Sequence, residues 1–129
     1  MFNIIAIAVV ISGLLTFPMA AYADAASEIA TAAQHAGFAA AAPNLVQTRT
    51  HLHHALNCLV GPQDGDFDKT NMNPCAQEGK GAFPDESDPE IKAKLQGAMA
   101  AAEDGIAASD EATAKKDAAT VETLLHAIK

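Results

Sequence analysis

The stretch Thr50-His51-Leu52-His53-His54-Ala55-Leu56-Asn57-Cys58 is where this chain concentrates its chemistry. Three of the five histidines fall there. Each residue of an α-helix advances about 100°, so His51, His54 and Cys58 lie within about 60° of one another on one helix face. His53 points elsewhere, on the side of Asn57. Imidazoles one turn apart on a helix can bind one transition-metal ion, and imidazole suits Zn, Cu, Ni and Fe. Further ligands must then come from other helices, and His35 and His126 are the candidates. Glu122 stands one turn before His126. The di-iron signature needs Glu-x-x-His pairs on two helices. Glu122 and His126 have the wrong spacing, so di-iron chemistry is not expected.

Haem is a second possible ligand. There is no C-x-x-C-H, which excludes covalent c-type attachment. A b-type haem needs only two axial ligands from facing helices, and His35 with His51 or His54 would supply them. Asp64, Asp66 and Asp68 alternate like the start of a calcium loop. That loop requires Gly at its sixth position and Glu at its twelfth. Here those positions hold Lys69 and Cys75, so a turn-rich solvated loop is the better reading. No nucleophile elbow, phosphate-binding loop or dinucleotide fingerprint is present. A binding protein is expected, not an enzyme.

The start of the chain sets the compartment. Residues 4–17 are an apolar stretch, Pro18 stops it, and Ala21-Tyr22-Ala23 offers the small-x-small pattern of a signal-peptidase site. Residues 1–23 therefore read as a cleavable signal peptide, although no Lys or Arg precedes the apolar stretch. The stretch is shorter than the roughly 20 apolar residues of a spanning helix. The mature chain, 24–129, is one domain with no segment apolar enough for a membrane, and is expected to be periplasmic or secreted. The net charge of −8 argues against nucleic acid and against an anionic membrane surface. In an oxidising compartment two cysteines in a small domain usually pair. Cys58 and Cys75 are thus expected to form a disulfide worth about 3 kcal/mol in the chain-entropy model. The competing reading makes them thiolate ligands.

The elements that must position these residues are helices. Ala, the best helix former, dominates the composition. Apolar residues recur at helical spacing over about 25–41, 44–60, 89–108 and 110–128. Ile29, Ala33, Ala36 and Ala40 mark the first face, and Leu45, Leu52, Leu56 and Leu59 the second. Ile91, Leu95, Ala98, Ala102 and Ile106 mark the third. Ala114, Ala118, Val121, Leu125 and Ile128 mark the fourth. Pro43 and Gly61-Pro62 are stops. Ser87-Asp88-Pro89-Glu90 is a start, capped either by Asp88 or by a Ser87–Glu90 box. Residues 61–88 carry no period and read as a long loop, which the disulfide would pin to the second helix. Gly37-Phe38-Ala39-Ala40 is echoed in Gly105-Ile106-Ala107-Ala108, though the halves are not in exact register. Together these predict an all-α fold, an antiparallel four-helix bundle of two hairpins joined by the long pinned loop.

In its export signal, helix pattern and histidines the chain resembles the small periplasmic metal-binding helical bundles of bacteria. The leading expectation is binding of a transition metal, or less favourably b-type haem, by His51 and His54 with His35 or His126. The alternative is a non-catalytic structural or interaction module, in which loop 61–88 meets a protein partner through Phe67 and Phe83.

Overall fold

The computed structural model describes residues 25–129, and the signal-peptide reading of 1–23 lies outside them. The described residues are all-helical: α1 Ala25–Ala41, α2 Leu45–Val60, α3 Ala82–Asp85, α4 Pro89–Ala107 and α5 Glu111–His126. Each long helix starts or stops for a local reason. Asn44 caps α2 by accepting from the Gln47 N–H, and Gly61, at φ 77°, ends it. Asp88 caps α4 by accepting from Glu90 and Ile91, with Pro89 in the first turn, which settles the choice against the Ser87–Glu90 box. Asp110 caps α5 by accepting from Thr113.

α1 packs on α2 and α5, and α4 packs on α5 and α2. The faces between them are lined mainly by alanine. Ala32, Ala36, Ala39, Ala55, Ala98, Ala102, Ala114 and Ala118 are all fully buried. Leu52, Leu59, Leu95, Val121 and Leu125 supply most of the remaining core volume. Small side chains let the helices approach closely, and Gly105 shows how closely. A Cβ there would sit 2.7 Å from Leu52 Cδ1 and 3.0 Å from Asp117 Cβ. The Arg49 guanidinium donates to the Ala108 carbonyl, meeting a backbone acceptor just past the end of α4.

Residues 61–88 are not a free loop. They contain the single-turn helix α3, which the aperiodic sequence did not announce. Cys58 and Cys75 are joined by a disulfide, so neither offers a thiolate. Two buried polar side chains then hold the segment at other points. Asn57 Oδ1 accepts from the Asp68 N–H at 2.9 Å, and its Nδ2 donates to the carbonyls of Asp68 at 3.0 Å and Met72 at 3.2 Å. Glu28, on α1, accepts from the Gly81 N–H at 2.7 Å. Gly61 and Gly81 cross back to back, each at positive φ, and a Cβ on Gly61 would fall on the Lys80 carbonyl oxygen. The aspartates at 64 and 68 make turns: Asp64 accepts from the Asp66 N–H, and Asp68 from the Thr70 N–H and hydroxyl. Phe67 and Phe83 are half-buried and pack against the core. No helix among the described residues is long and apolar enough to cross a membrane.

Candidate metal centre

The connection between α1 and α2 is three residues long, 42–44, which makes the two helices neighbours. His35 projects from α1 towards α2, while His51 and His54 project from one face of α2. The three rings meet. Centroids are 5.1 Å apart for His35 and His54, 5.5 Å for His51 and His54, and 5.7 Å for His35 and His51. One ligand nitrogen from each falls within 4.8 Å of the other two. His54 forms the floor, 8% exposed, and His35 and His51 are half-buried. The Phe38 ring lies across the edges of His35 and His51, at 5.5 and 5.6 Å.

In all three rings Nδ1 is buried without a hydrogen-bond partner. A buried nitrogen without a partner costs free energy. Three such atoms in one cluster leave a concentration of unused donor capacity. The electrostatics favour the neutral, ligating form. Burial, reinforced by the neighbouring His54 and His51, pushes His35 down to about 4. Burial, with His51 and His53 nearby, also lowers His54. The lowered values hold His35 and His54 in the neutral form that can donate to a cation.

A zinc-like tetrahedral ion with Zn–N near 2.0 Å sets its ligand nitrogens about 3.3 Å apart. The three nitrogens lie within 4.8 Å of one another, and side-chain rotation would bring them to that spacing. The three histidines could hold a metal ion, and no thiolate or carboxylate among the described residues joins them.

The other two histidines are placed apart. His53 faces the loop, its Nδ1 3.2 Å from Asp68 Oδ2. Hydrogen bonds from Thr70 and Asn71 hold the Asp68 carboxyl down to about 2, so it stands as a carboxylate beside that ring. His126 is not part of the cluster. It is exposed at the end of α5, 3.8 Å from Glu122 Oε1. It borders a cavity of about 270 Å³ with Ala26, Ala30 and Ala33 of α1. By helix geometry those alanines lie roughly opposite His35 on α1, so His35 and His126 look out of different sides of that helix.

Sequence spacing placed His51 and His54 together, but it did not choose between His35 and His126. It also missed Phe38 as a wall of the cluster, because an aromatic ring near the end of an Ala-rich helix reads as ordinary core. No family model, curated protein or solved structure matches this chain.

Proposed function

We propose that this protein binds a single transition-metal ion through His35, His51 and His54. The observation that carries the reading is the convergence of three imidazole nitrogens within 4.8 Å. An all-imidazole set suits Zn, Cu, Ni or Fe(II), and is poorly matched to Ca or Mg, which take oxygen ligands. Haem is less favoured on the same geometry. Rings in mutual contact leave no slot for a macrocycle between two axial nitrogens.

The wider reading is a periplasmic or secreted metal-binding protein, akin to the small helical bundles of that compartment. It supposes that residues 1–23 are removed as a signal. It also takes the four long helices as two hairpins in an antiparallel bundle, joined by the pinned segment 61–88. The disulfide supports the oxidising compartment.

Metal analysis of protein exposed in turn to Cu, Zn, Ni and Fe and then desalted tests the reading. One ion per chain is expected for at least one of these metals, with loss of uptake in His51→Ala and His35→Ala. Uptake near zero in the unaltered protein for all four would sink the idea.

A further inference from the structure

Resting on the metal reading above, we infer that the His35–His51–His54 centre is an open site whose coordination is completed by a small anion from outside the chain. Charge is the first argument. Three neutral imidazoles bring no negative charge, so a divalent ion would carry its full charge into a half-buried, partly apolar setting. Such a charge is costly unless it is compensated.

The described residues place no compensating charge within the cluster. Among the described residues no carboxylate or thiolate joins the three rings. The acidic and sulfur groups that might have served are engaged elsewhere. Asp68 is held by Thr70, Asn71 and His53. Glu122 lies beside His126. Cys58 is spent in the disulfide.

Coordination number is the second argument. Sites with three protein ligands keep a fourth position for water or an exogenous group, whereas closed structural sites use four protein ligands. Access is the third. His54 is the buried floor, His35 and His51 are half-buried, and the flanking Phe38 is 47% exposed. The opening is therefore on the outer side, bordered by an aromatic edge. A ligand arriving from that side, past half-buried rings, would be a compact monodentate anion such as hydroxide, azide or cyanide.

The test uses the disulfide-bonded protein, Cu2+ and sodium azide in chloride-free buffer. Copper uptake is measured first, and then azide is titrated while the near-ultraviolet absorption is followed. The expected result is a saturable azide-to-copper charge-transfer band at one azide per copper, with the protein still monomeric by size-exclusion chromatography. His51→Ala, folded by circular dichroism, should lose the band. No uptake of copper, nor of Zn, Ni or Fe, would overturn the metal reading itself, before azide is added. Copper uptake with no azide response would overturn only the open site. A metal-induced dimer would overturn it too, since the fourth ligand then comes from a second copy. A band that survives in His51→Ala would place the copper elsewhere on the acidic surface and overturn it equally.

Discussion

Glu28 on α1 accepts a hydrogen bond from the Gly81 N–H at 2.7 Å, across a separation of 53 residues. The Glu28 side chain is fully buried. Desolvation, opposed by that hydrogen bond and reinforced by Asp85 and Glu78, pushes its carboxyl up to about 7. Asp85 stands close by, accepting from the Lys80 N–H. Glu78 is held by the Thr31 hydroxyl. Both neighbours are acidic, so an ionised Glu28 is repelled from the segment it anchors.

Stability should therefore fall as pH rises through the Glu28 titration. The folded state holds a proton on Glu28 that the unfolded state releases near 4.5. The stabilisation is full below about 4.5 and is lost as pH rises through about 7, a change on the order of 3 kcal/mol. His35 and His54, with lowered values, act in the opposite sense at acid pH. The Glu28 share is thus read as a difference. Glu28→Gln, which keeps an acceptor for Gly81, should gain stability over the unaltered protein at pH 8 but not at pH 4.5. Urea midpoints at the two values decide it, and an equal offset at both contradicts it.

Asn57 should be the costliest polar side chain to remove from α2. It satisfies three backbone groups of residues 68 and 72 from a buried position. Asn57→Leu leaves those groups without their partner, at a cost of roughly 2–4 kcal/mol. Amide hydrogen exchange should quicken first at Asp68, while α4 and α5 keep their protection until global unfolding. Unchanged exchange at Asp68 would show that the segment is held without Asn57, by the disulfide and Glu28.

Two helical glycines should answer oppositely to alanine. At Gly97 a Cβ meets only Leu124 Cδ1, at an ordinary 3.8 Å. Gly97→Ala should therefore stabilise by about 0.5–1 kcal/mol through helix propensity. At Gly105 the new Cβ would press on Leu52 Cδ1 at 2.7 Å and on Asp117 Cβ at 3.0 Å. Overpacking of this kind costs about 1–3 kcal/mol, more than the propensity gain. Thermal unfolding of the two variants should shift in opposite directions.

Reduction of Cys58–Cys75 should lower stability by about 3 kcal/mol in the chain-entropy model. The bridge joins the last turn of α2 to the middle of the 61–88 segment. Its loss should therefore loosen that segment before the helix core. Thermal melts with and without reductant, alongside Cys58→Ala/Cys75→Ala, measure the effect. Identical melting temperatures would contradict it.

Sequence alone carried whatever is local. Apolar spacing marks the helices, since one face of each must be buried, and Asp88 marks the start of α4 by capping nearby N–H groups. The pairing of His51 with His54 is likewise local, because i and i+3 share a helix face. Tertiary structure decided everything that depends on which faces meet. It brought His35 into the cluster and left His126 on the far side of α1, a choice no spacing within one helix can encode. It folded α3 within 61–88, where a single turn is too short to show a period. It buried Glu28, which in sequence is an unremarkable acid in the first turn of a helix. Its environment comes from residues 78–85, which reach it only after the chain has turned back across the end of α2.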